Sequence, residues 1–135
     1  MDILKLKGTD KKLFELVAPL VMNPAVLRQN NNYPFKTGAK YVWYVAVEDG
    51  QVDGFIPLKR TADGGCLIDN YYIRNDDARV LNRLLAEIIT DTAPNGDTLC
   101  ATVHKRHVKE FAGRGFRSRT EWKKYDKMQL CLPKN

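Results

Sequence analysis

The sequence predicts an α/β (α+β) domain, a mixed and mostly antiparallel central sheet with helices on both faces. Three observations carry that expectation. Two stretches repeat apolar residues at spacings of three and four. Between them lie strand-like runs joined by the turn Asp49-Gly50. Two further strand-like runs close the chain. The 135 residues leave room for one domain, 1–135, large enough to bury about two-thirds of its unfolded surface. With 44% hydrophobic and 28% charged residues, the composition excludes the disordered, collagen-like and disulfide-scaffold classes.

Ile3–Lys7 reads as a short strand closed by Gly8, after which Thr9 or Asp10 can cap a helix by accepting a free amide of its first turn. Leu13, Phe14, Leu16, Val17, Leu20 and Val21 give that helix one apolar face. Asn23-Pro24 ends it and opens a second short helix through Arg28, followed by an exposed, Asn-rich loop over 29–40. Tyr41–Glu48 and Val52–Lys59 form a hairpin about Asp49-Gly50, and a turn at 62–65 leads to a third strand, Cys66–Ile73, completing an antiparallel meander. Asp76 or Asp77 caps the next helix, whose stripe is Val80, Leu81, Leu84, Leu85, Ile88 and Ile89. Pro94-Asn95-Gly96-Asp97 stops it. A buried strand Thr98–Val103, a short helix from Lys105 to Gly113, and strands at Arg117–Trp122 and Lys127–Leu132 follow. The predicted order is β-α-α-β-β-β-α-β-α-β-β.

The apolar run Val42–Val47 is far shorter than the roughly 20 residues of a membrane span, and residues 1–12 lack the apolar core of a signal peptide. A soluble, cytoplasmic protein with no membrane partner is expected. Cys66, Cys100 and Cys131 form no C-x-x-C pair and sit among apolar neighbours, the pattern of buried, reduced thiols. Cys100, His104 and His107 have zinc-ligand chemistry, but they straddle a strand end and a helix start with no fourth ligand, so no metal is expected. Ser118, the one serine, has no G-x-S-x-G context. The net charge of +6 is concentrated in residues 104–127, where nine Lys/Arg face Glu110, Glu121 and Asp126. Such a segment is either a solvated face or a patch for a polyanion.

The element order resembles the GNAT superfamily of acyl-CoA-dependent N-acyltransferases over nearly the whole chain. Glu48-Asp49-Gly50-Gln51-Val52-Asp53-Gly54-Phe55 is similar to that family's hairpin between its second and third strands. Tyr71-Tyr72-Ile73-Arg74 running into Leu81–Ile89 resembles its fourth strand and third helix. Phe111-Ala112-Gly113-Arg114-Gly115-Phe116 resembles its Y-x-x-x-G-F element, and Tyr125-Asp126-Lys127-Met128 its Y-x-x-M strand.

The resemblance implies a divergent GNAT-like acetyltransferase. It would take acetyl-CoA (acyl-CoA) as donor and transfer the acyl group to an amine acceptor. Tyr72, Ile73, Arg74, Ala78, Arg79, Val80 and His104 would contact the donor. Asp69 is the first candidate for the base that deprotonates the amine and Glu48 the second; Tyr125 is a candidate acid. Asn31, Tyr33 and Phe35, in the loop that would shape the acceptor site, are candidates for specificity. Two departures stand out. Segment 74–81 contains no glycine, and Asp76 and Asp77 put negative charge where the donor's diphosphate would meet helix amides. Phe111 occupies the place of the family's proton-donating tyrosine and has no proton to give. They leave a second expectation open: a GNAT-fold binding module whose basic C-terminal third takes nucleic acid or an acidic partner.

Overall fold

The computed structural model describes residues 1–96 and 98–131. Asp97, expected in a turn, and Leu132, expected to end the last strand, lie outside them. The strands are β1 (Asp2–Lys7), β2 (Tyr41–Glu48), β3 (Gln51–Arg60), β4 (Cys66–Ile68), β5 (Tyr72–Ile73), β6 (Thr98–His104), β7 (Arg117–Glu121) and β8 (Tyr125–Cys131). The helices are α1 (Lys11–Val21), α2 (Pro24–Gln29), α3 (Ala78–Thr92) and α4 (Val108–Gly113). The order is the one the sequence predicts, with one exception. The run read as a continuous strand, Cys66–Ile73, is interrupted at Asp69–Tyr71.

The strands form one sheet in the order β1-β2-β3-β4-β6-β8-β7, with β5 paired to β3. All pairings are antiparallel except β4 with β6, which run parallel. Asp49 (φ 52°) and Gly50 (φ 78°) both take positive φ in the β2–β3 turn, the requirement of a type I′ hairpin. Asp10, Asn23 and Asp77 cap α1, α2 and α3, each accepting an amide of the first turn.

Both faces of the sheet are covered, so side chains along β2 alternate between two cores. Tyr44 and Ala46 join α3 and α4 through Leu81, Leu84, Leu85, Ile88 and Phe111. Trp43 and Val45 join α1 and α2 through Leu13, Val17 and Val26. Phe14, expected in the α1 stripe, is 46% exposed. Of the three thiols expected to be buried, only Cys66 is. Cys100 is half-buried and Cys131 is exposed. β7 forms the far edge, and all five of its residues are exposed. Among the described residues no helix is long and apolar enough to cross a membrane.

Candidate functional site

The interruption at Asp69–Tyr71 divides the sheet. Before it, β4 pairs with β6 as far as Ile68↔Ala101. After it, β5 pairs with β3 (Gly54↔Ile73, Phe55↔Tyr72), while β6 continues through Thr102–His104 with β8 alone. Between β5 and the end of β6 there is therefore a gap without strand pairing, opening beside the start of α3. Gly54 lets β5 lie close to β3, since a Cβ there would stand 2.8 Å from the Tyr72 carbonyl oxygen.

On the α3–α4 side the gap is spanned by side chains. The Tyr71 hydroxyl accepts the His104 backbone N–H (3.3 Å) and lies 2.8 Å from His107 Nδ1. His107 Nε2 lies 2.8 Å from Asp76 Oδ1, which also accepts from Arg106 Nε at 2.9 Å. A carboxylate in its ionised form only accepts, so His107 carries its proton on Nε2 and Nδ1 accepts from Tyr71. Burial works against ionisation of Asp76, but the Arg106 and His107 contacts outweigh it and hold the carboxyl below its ordinary range. Burial pushes the Tyr71 hydroxyl up. Burial and then the Arg106 charge push His107 down. Asn75 (φ 54°) and Asp76 (φ 51°) both sit in the left-handed region, which Asn and Asp tolerate better than most side chains.

His104, 2% exposed, directs Nε2 to Asn30 Oδ1 at 3.2 Å. The Asn30 amide in turn donates to the Tyr33 carbonyl and to Asn70 Oδ1. The Asn30 oxygen accepts, so the His104 proton is on Nε2, leaving a buried Nδ1 without a partner. Burial, reinforced by the Arg106 and His107 charges, brings its pKa down to about 4. Among the described residues no group of three or more His, Cys, Asp or Glu side chains is placed to hold a metal.

At the start of α3, Asp77 Oδ1 accepts the Arg79 amide at 2.9 Å, and the Arg79 guanidinium folds back on the same carboxylate at 3.3 Å. Those contacts, the guanidinium's first, hold Asp77 below its ordinary pKa. Arg83 turns to the Met1 carbonyl, and Arg74 faces Asp53 at 3.9 Å. Ala78 and Val80 flank Arg79 in this turn. Glu48 lies here too, sharing a cleft with Asp53, Asp77, Arg79, Val80 and Arg83, 3.7 Å from the terminal amine of Met1. A diphosphate does not fit this helix end as it stands, because a carboxylate already occupies its amide seat and two more acids line the cleft.

The opposite side of the gap is open. Thr102 lies between Ala101 and Val103, both buried against α3, so it faces the other way. With Asp69 and Asn70 it lines a cleft of about 590 Å³ walled by Tyr33, Pro34, Lys36, Trp122 and Tyr125. Trp122 N donates to the Tyr125 carbonyl (2.8 Å) across the β7–β8 turn. The Tyr125 hydroxyl accepts from Asn31 Nδ2 at 2.7 Å, and its ring centroid stands 5.2 Å from that of His104. Asp69 and Tyr125 thus meet in one cleft, and Glu48 belongs to another. Tyr33 lines the Asp69 cleft and Asn31 reaches Tyr125 on its wall, whereas Phe35 packs edge-on against Phe55 in the core. Trp122 carried no local signal in the sequence. It enters the cleft beside Tyr125, its partner across the β7–β8 turn.

No family model matches the chain, and no curated protein matches it in sequence. Solved structures do match in shape. Escherichia coli ElaA superposes with a TM-score of 0.75 at 11% identity, over 96% of this chain and 99% of that one. The chain has the GNAT fold. The aminoglycoside 6'-N-acetyltransferase from Enterococcus faecium matches at 0.73 and 12% identity, over 100% and 99%. Campylobacter jejuni N-acetyltransferase PseH in complex with acetyl coenzyme A matches at 0.64 and 18%, over 98% and 100%. In that fold the interrupted run Cys66–Ile73 takes the place of the fourth strand, where the sequence resemblance put it.

Proposed function

We propose that the chain is a divergent acyl-CoA-dependent N-acyltransferase, a single unit over 1–135 that moves an acetyl or acyl group to an amine. One observation supports it above the rest. β5 is paired on one edge only, so Tyr72 and Ile73 face the gap with no strand beside them, and the amide-bearing arm of a pantetheine thioester can pair as a strand would. PseH, of the same fold, has been solved in complex with acetyl coenzyme A.

In this reading the chain's own groups divide the work. Backbone donors near Tyr72-Ile73 orient the thioester carbonyl. Asp69, exposed and without a cation partner among the described residues, receives the ammonium group of the acceptor and takes its proton. Tyr125, whose oxygen accepts from Asn31, keeps its own proton free to donate. Positioning the two reactants supplies most of the rate. The diphosphate of the donor is left to the side chains of Arg74, Arg79 and Arg83, since the α3 amides do not fit it.

A second reading draws on one specific observation. Asp77 caps α3 and Tyr71 bridges to β6 across the gap, as in a GNAT fold that no longer admits a thioester and binds a polyanionic or acidic partner through its basic C-terminal third. A thermal-shift titration separates the two. Acetyl-CoA at millimolar concentration raises the midpoint in the transferase reading, and thiol release follows on adding a primary amine. No shift, with salt-sensitive retention on heparin, overturns it in favour of the second.

A further inference from the structure

The open cleft has a chemistry of its own. Three aromatic residues, Tyr33, Trp122 and Tyr125, line it together with one carboxylate, Asp69. Tyr33 is 58% exposed and Trp122 49%, although rings of this size ordinarily bury themselves. Asp69 has no hydrogen bond or ion pair among the described residues, Lys36 included. Aromatic faces attract cations, and an unpaired carboxylate among them selects a single positive charge on an apolar body. The volume of about 590 Å³ is in the range of small-molecule sites. Lys36 on the same wall would repel a second positive charge, which argues against a polyamine.

We infer that this cleft binds an arylalkyl monoamine, its ammonium group on Asp69 and its ring against Trp122 and Tyr125. The inference names the acceptor class of the proposed transferase and rests on that reading for its chemistry, though not for its binding.

Calorimetric titration of the intact protein, without any acyl donor, tests it. Phenethylamine is expected to bind about tenfold tighter than its neutral analogue 2-phenylethanol, equivalent to ~1.4 kcal/mol, and tighter than 1,4-diaminobutane. Asp69 is exposed, so Asp69→Asn leaves the fold intact, as circular dichroism would register, and is expected to erase the preference for amine over alcohol. Trp122→Ala is expected to weaken both ring ligands by a similar factor. Equal affinity for amine and alcohol, a preference that survives Asp69→Asn, or tighter binding of the diamine overturns the inference. Phenethylamine binding without acyl transfer upholds it while removing the transferase reading. Acyl transfer to amines with no ring preference does the reverse.

Discussion

The Tyr71 hydroxyl stands 2.8 Å from His107 Nδ1 and receives the His104 backbone amide from across the sheet's gap. One side chain therefore bridges the gap on its α3–α4 side, and His107 passes the connection on to Asp76 at the entrance of α3. Tyr71→Phe keeps the ring and its packing on Phe111 but strands two buried polar groups. It is expected to cost about 1–3 kcal/mol in denaturant unfolding. An unchanged unfolding free energy would show that the bridge carries no stability.

Acid should weaken the fold through the histidines. His104 has an ordinary value of 6.5 and a folded value of about 4, so between those pH values the unfolded chain binds a proton that the folded chain refuses. Stability is then complete above pH 6.5 and declines as pH falls toward 4, with His107 acting in the same direction. Asp76, depressed below its ordinary 3.8, extends the loss to lower pH. A series of melting curves across this window should show the decline, and His104→Gln should make it shallower. A flat profile would contradict the burial of both rings.

The cap on α3 yields a paired test of donor binding. Asp77→Asn keeps an oxygen for the Arg79 amide and removes the charge, whereas Asp77→Ala removes both. In the transferase reading both variants bind acetyl-CoA several-fold tighter than the parent protein. Only Asp77→Ala also lowers the ligand-free midpoint. Tighter binding in neither variant would show that this carboxylate does not compete with the donor.

Gly54 sets how closely β3 and β5 approach. A methyl group there would meet the Tyr72 carbonyl oxygen at 2.8 Å, Val80 Cγ1 at 3.2 Å and Ile73 Cδ1 at 3.3 Å. Gly54→Ala is expected to destabilise the protein by about 1–3 kcal/mol, read from chemical unfolding. Because it displaces β5, it should also weaken any ligand of the gap.

Local chemistry explains what was legible in the sequence. Asp49-Gly50 defines the hairpin well enough that Tyr41–Glu48 begins and ends where expected, and the α3 stripe follows from its spacing. The break at Asp69–Tyr71 is marked only by Asp69-Asn70, two poor strand formers between apolar runs that together read as one strand. That both pieces pair with β3 but only the first with β6 is decided by residues distant in sequence. Asp69 and Tyr125 could be named as candidates by residue type. Their meeting with Trp122 depends on contacts spanning most of the chain, and no pattern within one element encodes those. The left-handed pair Asn75-Asp76 uses residue types that tolerate that conformation, but its partners His107 and Arg106 lie far along the chain and could not be paired with Asp76 from spacing.

β7 ends the sheet with every residue in water, and along it run Arg117, Arg119 and Glu121. A bare rim of amides and carbonyls is a template on which a second molecule can stack. Here a copy approaching rim to rim in a register that sets arginine against arginine must strip both guanidinium groups of water. The strand guards itself, and replacing Arg117 and Arg119 with threonine would convert a self-repelling border into a sticky one, with turbidity on storage as the symptom.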